Sequence, residues 1–221
     1  MNKAILIPAR GGSKRIPNKN IVNLLGKPLI HYTILQSLKV TEQVYVSTDC
    51  EKIKKVCRKY DVEIIDRPAQ ISRDNSTSNS VVEHFLNNFD VELFALVQPT
   101  SPLIKSEYLN NGFCKFSTLK FDTIISSYEV VEFYWSKKGI PRNFSLGKKK
   151  RTQEIESWFV ENGAFYITNR DNFFKYNNLI GPRVGISKMP KIDSVDIDTF
   201  EDLEIAESVL TYRKVVNENS R

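Results

Sequence analysis

The chain has 221 residues, enough for one α/β domain to bury most of its apolar surface without disulfide staples. Its three cysteines, Cys50, Cys57 and Cys114, show no CxxC spacing, and two histidines supply the usual tetrahedral zinc sets poorly, so free thiols in a reducing cytosol are expected. The net charge of +6 is concentrated in residues 10–19 and 148–151 with no aromatic-interleaved basic strand, which argues for a focused phosphate or carboxylate ligand and against nucleic acid.

The first apolar strand covers residues 4–8. No basic leader with a small-residue cleavage site precedes it, and no apolar run reaches membrane-spanning length, so a soluble cytoplasmic protein without a membrane partner is expected. A helix over 29–39, a strand over 44–47, a helix over 51–60 and a strand over 62–65 follow, short β-branched runs alternating with helical periodicity. The alternation continues through a helix over 78–88, a strand over 93–98, a helix near 107–116 and a strand over 123–128. Such alternation is the sequence form of repeated βαβ units, and it predicts an α/β fold with a mostly parallel sheet covered by helices. Between 129 and 161 the periodicity fails, and Gly139, Pro141 and Gly147 punctuate a mixture of charges and aromatics. That segment is expected to leave the sheet as an arm or small subdomain of a single domain spanning 1–221. The chain returns in a strand over 164–168 and ends in an amphipathic helix with Phe200, Leu203, Ala206 and Leu210 on one face.

The carboxyl end of the first strand carries the densest chemistry. Ala9-Arg10-Gly11-Gly12-Ser13-Lys14-Arg15-Ile16-Pro17-Asn18-Lys19-Asn20 places a glycine pair and four cations where open α/β sheets bind ligands. Gly11 and Gly12 permit inward-facing N–H groups, while Ser13, Lys14 and Arg10 add a hydroxyl donor and charge-assisted bonds, so a triphosphate suits the loop. Neither GxGxxG nor GxxxxGK[ST] is present at the required spacing, so this is a different phosphate loop.

The block 9–14, followed by Lys19-Asn20 and Gly26-Lys-Pro-Leu29, resembles the opening of the acylneuraminate cytidylyltransferases, the CMP-sialic acid synthetases. The resemblance continues in order through Val46-Ser-Thr-Asp49, Arg67-Pro68, Ser76-Thr-Ser78, Gln98-Pro-Thr-Ser-Pro102, Glu161-Asn-Gly-Ala-Phe-Tyr166 and Ser194-Val-Asp-Ile-Asp198, nearly the whole chain. It implies a nucleotide-diphospho-sugar transferase fold, Rossmann-like, and transfer of CMP from CTP to the anomeric hydroxyl of a sialic-acid-like 2-keto sugar acid, N-acetylneuraminate or Kdn foremost. It further implies that Arg10, Ser13, Lys14, Lys19 and Asn20 hold the nucleotide, that Arg67, Ser76 and Ser78 read cytosine or ribose, and that Gln98 sits at the sugar site. Arg10, Lys14 and Lys19 are the expected catalytic cations. Helix capping is the alternative for Ser76 and Ser78, and a strand end for Gln98.

Asp196 and Asp198 flank Ile197, and in an extended segment this spacing puts both carboxylates on one face, a donor set suited to Mg²⁺. Asp198 alternatively begins the last helix. The acceptor's own carboxylate needs a cation or aligned amide, for which Arg151, Gln153 and Asn162 stand ready, with Tyr166 as a pocket wall. His31 and His84 have no ligand cluster nearby in sequence and read as structural. Relatives place arginine where Ile104 stands, Arg or Gln where Thr152 stands, and often glycine where Arg15 stands, so a phosphate or sugar contact is expected to be missing at 104. The resemblance also implies a homodimer reached through the 129–161 arm. The rivals are the same reaction on legionaminic acid, pseudaminic acid or Kdo, the pseudaminic branch set behind because of Gln98-Pro-Thr-Ser-Pro102, and a non-catalytic nucleotide-sugar binding protein.

Overall fold

The computed structural model of the chain describes residues 3–148 and 151–219. Its first strand, β1 (Lys3–Pro8), carries Ala4, Ile5, Leu6 and Ile7, none with exposed surface. A strand apolar on both faces has to be covered on both. After it come a two-stranded hairpin of β2 (Asn23–Leu24) and β3 (Lys27–Pro28), then α1 (Leu29–Leu38), β4 (Val44–Thr48), α2 (Glu51–Cys57), β5 (Glu63–Asp66) and α3 (Ser78–Asn88). The chain continues with β6 (Leu93–Val97), α4 (Ser106–Thr118), β7 (Thr123–Val130), β8 (Trp158–Asn169), α5 (Arg170–Tyr176), β9 (Val184–Lys188) and α6 (Phe200–Asn219).

The main sheet has seven strands in the order β5-β4-β1-β6-β8-β7-β9. Ile5 faces Val44 on one side and Ala95 on the other in parallel register. Only β8 runs against its neighbours, β6 and β7, so the mostly parallel architecture expected from the alternation is what the chain adopts. The period of two sorts β1 between two cores. Ile5 and Ile7 pack with Ile30 and Ile34 of α1, Ile53 of α2, and Leu109 and Phe113 of α4, while Ala4 and Leu6 pack with Val82 and Phe85 of α3 and Phe173 of α5. Each fully buried Ile, Leu or Phe here contributes about 1.5–3 kcal/mol. A third, smaller core joins Ile16, Leu24, Leu29, Ile197 and Ala206, tying the hairpin and α6 to the loop after β1.

Three regions differ from expectation. β7 and β8 remain paired from Ser127 opposite Glu161 to Val130 opposite Trp158, so the sheet is left only over 131–157, less than the 129–161 expected. That excursion folds on itself: Phe144 stacks edge-on against Phe133 and Trp135 at 4.8 and 4.9 Å, and the Asn143 side chain accepts from the Tyr134 amide and donates to the Glu132 carbonyl. The sequence pattern also gave no sign of α5 or β9. β9 is masked by Gly185, where an added Cβ would lie 2.6 Å from both Ile124 and Phe121, so tight packing removes the side chain that would have signalled a strand. On α6, Ala206 is buried and Leu203 and Leu210 are partly buried, but Phe200 is 55% exposed and does not share that face. Among the described residues no helix is long and apolar enough to cross a membrane.

Candidate active site

The chain steps from β1 outward to β4 and β5, then returns to place β6 on the other side of β1. Such a switch point leaves a crevice beyond the carboxyl ends of the two central strands. A cleft of about 440 Å³ lies there, lined by Arg10, Ser13, Lys14, Arg15, Lys19 and Asn20 after β1, by Gln98, Pro99 and Thr100 after β6, and by Asp74, Asp196 and Asp198. A second hollow of about 160 Å³ shares Pro8, Arg10 and Gln98 with it and adds Arg67, Arg73, Ser76, Thr77 and Ser78. The predicted nucleotide residues other than Gly11 and Gly12, which line neither, therefore assemble around two joined compartments, one rich in cations and one rich in hydroxyls.

The loop after β1 is held from behind. Asn20, buried at 6% exposure, donates its side-chain amide to the Arg10 carbonyl at 2.9 Å, and the Gly11 amide donates to Asp49 Oδ1 at 2.8 Å. A Cβ on Gly11 would come within 2.7 Å of Cys50 Cβ, so the loop can lie against β4's end only with glycine there. Gly12 is different: nothing lies within 4 Å of its would-be Cβ, and the residue is exposed without lining the cleft. Asn20 and Gly11 thus act by shaping the loop, and Arg10, Ser13 and Lys14 present polar groups to the cleft.

The cations are paired in two sets. Asp74 accepts from Arg10 Nη1 at 2.9 Å with one carboxylate oxygen and from Lys14 Nζ at 2.5 Å with the other. Asp198 meets Arg15 Nη1 at 2.5 Å and Lys19 Nζ at 2.9 Å, and Lys19 also donates to the Ile197 carbonyl at 2.7 Å. Lys19 therefore holds the Asp196–Asp198 segment against the loop, while Lys14, the most exposed of the four, reaches into the cleft. The ammonium of Lys19 and guanidinium of Arg15 hold the Asp198 carboxyl below its ordinary range, and Lys14 and Arg10 do the same for Asp74.

The i, i+2 argument for the aspartates holds, since Ile197 is fully buried in the third core and both neighbours line the cleft. The Ile197 amide donates to the Thr100 carbonyl at 2.8 Å, joining this segment to the turn after β6. Asp196 opens onto the cleft yet is surrounded by protein on its other sides: desolvation raises its carboxyl, the Thr100 hydroxyl bond opposes this, and the charge of Asp198 adds to the rise. A carboxylate so placed suits a cation. Among the described residues no third His, Cys, Asp or Glu completes a metal cluster, so an ion at this pair would draw further ligands from substrate phosphates and water. Asp198 does not cap α6. Thr199 does, accepting from the Asp202 amide at 3.3 Å while Asp202 accepts from the Thr199 amide at 2.8 Å, a reciprocal capping pair.

Arg67 lies 7% exposed beside the second hollow and donates Nε and Nη2 to the Ser47 hydroxyl and carbonyl at 3.1 and 2.6 Å. Burial lowers its guanidinium to about 10, Asp49 opposing and Arg10 adding, so it stays charged at neutral pH. Ser76 and Ser78 face the same hollow, and the cap of α3 is neither of them but Thr77, which accepts from the Ser80 amide at 3.2 Å. Gln98 lines both compartments. Asn162 is engaged on three sides, with the Ser194 hydroxyl at 2.8 Å, Met189 Sδ at 3.4 Å and the Ala164 amide at 3.2 Å, which makes it a bracket between β8 and the aspartate segment. Tyr166 is half-buried and donates to Glu161; burial first, then that bond, raises its hydroxyl well above the ordinary value. Arg151 and Gln153 are exposed and line neither compartment. Thr152's side chain and residues 149–150 lie outside the described residues. The missing contact at 104 is not a surface position at all, since Ile104 is 2% exposed in the main core. Asp74 carries no sequence signal beyond its place six residues after Pro68 in a polar stretch. His31 pairs its Nδ1 with the Tyr60 hydroxyl at 2.8 Å, away from the cleft.

The fold is that of the nucleotide-diphospho-sugar transferases: a solved CMP:2-keto-3-deoxy-manno-octonic acid synthetase complexed with CTP superimposes with a TM-score of 0.72 at 16% identity, over 96% of this chain and 100% of that one. The chain belongs to the cytidylyltransferase family, whose model matches residues 4–220. An N-acylneuraminate cytidylyltransferase of Streptococcus agalactiae is 30% identical over 91% of this chain and 52% of its own length. A pseudaminic acid cytidylyltransferase of Campylobacter jejuni is 31% identical over 93% of this chain and 95% of its own. The chain thus spans about half the length of several curated relatives and nearly all of others.

Proposed function

We propose that the chain transfers CMP from CTP to the anomeric hydroxyl of a sialic-acid-like 2-keto sugar acid, N-acetylneuraminate or Kdn foremost, releasing pyrophosphate. The observation that carries this reading is the pair of joined compartments, with Arg10, Ser13 and Lys14 in one and Arg67, Ser76 and Ser78 in the other. In the reading, the hydroxyl-lined hollow takes the cytidine and the cationic cleft takes the triphosphate, so the α-phosphorus lies near Arg10, which lines both. The protein's contribution is position and charge: Lys14 and Arg10 draw electron density from phosphoryl oxygens as pyrophosphate leaves, and Ser13 donates a hydrogen bond.

Asp196 and Asp198 would hold Mg²⁺, which when bound supplies charge neutralisation to the leaving pyrophosphate. Gln98 stands at the end of β6 in both compartments, and Tyr166, on the neighbouring β8, lines neither; the acceptor would enter on this side, opposite the phosphates. Arg151 and Gln153 serve the acceptor carboxylate in this reading only if the arm reaches a second copy's cleft, which agrees with a homodimer and with the exposed Trp135 and Leu146 along it and Trp158 at its end on β8. Pseudaminic acid regains standing from the Campylobacter relative, which matches this chain along nearly its whole length.

The test is pyrophosphate release from CTP with a panel of N-acetylneuraminate, Kdn, legionaminic acid, pseudaminic acid and Kdo. Release dependent on one of the nine-carbon acids supports the proposal and ranks the acceptors. CTP binding without release for any acid would replace the enzyme by a nucleotide-sugar binding protein.

A further inference from the structure

Asp74 lies on the loop between β5 and α3, four residues before Ser78, and is the only carboxylate among the described residues that bridges Arg10 and Lys14. Its two oxygens divide between the two cations at 2.9 and 2.5 Å, an arrangement like that of two oxygens of one phosphoryl group. The loop carrying it is itself ordered by local bonds: the Arg73 amide donates to the Ser76 hydroxyl at 3.0 Å, the Ser76 amide to the Arg73 carbonyl at 3.1 Å, and the Ser72 hydroxyl to the Pro68 carbonyl at 3.0 Å. Asp74 is half-exposed, and both pairs face the cleft, where solvent and any anionic ligand have access.

From these contacts we infer that Asp74 is an internal competitor of the polyphosphate, a positioning residue that pre-aligns Arg10 and Lys14 and yields them when a ligand of higher charge arrives. The inference rests on the proposed placement of phosphates in the cationic cleft and goes beyond it in assigning a residue that opposes binding. A carboxylate offers one negative charge to two cations, whereas a triphosphate offers several, so the exchange favours the triphosphate and weakens every anion by the same work of separating the pairs. The same carboxylate helps expel pyrophosphate by reclaiming both cations. Because Asp74 shares its loop with Ser76, and that loop leads into Ser78 at the start of α3, its release joins occupancy of the cationic compartment to that of the hydroxyl-lined one.

The experiment is calorimetric binding of CTP, and separately of inorganic tripolyphosphate and pyrophosphate, to the wild-type chain, Asp74→Asn and Asp74→Glu, with melting curves for all three. Two half-exposed ion pairs predict affinity about threefold to tenfold tighter in Asp74→Asn for every polyphosphate, with the salt dependence of binding steeper because two cations are freed. Asp74→Glu keeps the charge and should restore the wild-type affinity to within about twofold. In turnover, Asp74→Asn should lower KM for CTP and slow the release of pyrophosphate. Unchanged or weaker polyphosphate binding in a folded Asp74→Asn protein overturns the inference, and so does a Glu variant that behaves like Asn. Tighter tripolyphosphate binding with no CTP binding in any variant would keep Asp74 as the anion competitor while removing the cytidylyltransferase reading.

Discussion

Two sets of ion pairs, built from the same residue types, do opposite work in this molecule. At the cleft, Asp74 and Asp198 bind Arg10, Lys14, Arg15 and Lys19 with half-exposed carboxylates. Behind it, Asp193 has no exposed surface and accepts from the Tyr108 hydroxyl and from Arg213, with Lys105 at 3.1 Å, fastening α4, the segment before Asp196 and α6 together. Exposed pairs are each worth about 0–1 kcal/mol, so they can be exchanged for substrate, whereas breaking a buried pair costs about 3–5 kcal/mol because a desolvated charge is stranded. Between these two sets, depth separates pairs that can be exchanged from one that is fixed.

Removal of divalent ions is the widest break between the two. With Asp196 and Asp198 as the proposed ligands, chelation should abolish turnover while the melting curve stays put, since Asp193 and its partners need no metal. Full turnover in verified metal-free buffer would remove the Asp196 and Asp198 assignment.

Asp193→Asn is the mirror experiment. It leaves Arg213 and Lys105 facing a neutral amide, and because both cations retain some solvent the loss should fall near the low end for buried pairs, about 3 kcal/mol, or about 6–12 °C in melting temperature. Turnover per folded molecule should change little. A normal melting temperature with lost turnover would move Asp193 from architecture to chemistry.

Next in size come the cleft lysines. Lys14→Ala should lower kcat about a hundredfold, the scale of one oriented contact to transition-state charge, with unchanged melting. Lys19→Ala should act chiefly on KM for CTP, because Lys19 is tied to Ile197 and Asp198 and shapes the pocket more than it reaches into it. If Lys14→Ala keeps near-native kcat, the loop after β1 binds nucleotide and no more.

The comparison also explains what the sequence revealed. The loop cations, the glycine pair and the Asp196/Asp198 spacing are local patterns, and of those residues the cations and aspartates line the cleft while Gly11 shapes the loop beside it. Asp74, Asp193 and the Ile104 burial depend on segments far apart in sequence, and no local period records them. Arg183, which grips the buried Asp122 with two guanidinium nitrogens, belongs to the same hidden class. β9 escaped for a related reason: Gly185 is chosen by Phe121 and Ile124 across the fold, and it erases the alternation a strand should show. Arg151 and Gln153 have the chemistry a sugar carboxylate needs, yet within the single chain they lie at the surface.

The smallest expected effect, and the one that separates the two sets by sign, is acid dependence. Burial by itself would raise the Asp193 carboxyl, but the bonds from Tyr108, Arg213 and Lys105 outweigh it and hold the group below the ordinary range, with Glu107 the nearby acid on α4. A depressed folded value means that the stabilisation is complete above the unfolded carboxylate value of about 3.9 and is lost as pH falls through the folded value. Asp122, covered by its partner Arg183, has the same sign. The stability gap between wild type and Asp193→Asn should therefore be constant from about pH 7 to pH 5 and shrink below about pH 4, while Asp122 preserves part of the acid slope in the variant. Chemical denaturation of both proteins at a series of pH values measures the gap directly. A gap that widens on acidification would mean that Asp193 enters the folded protein protonated, and the buried charge knot would have to be replaced by a neutral hydrogen-bonded one.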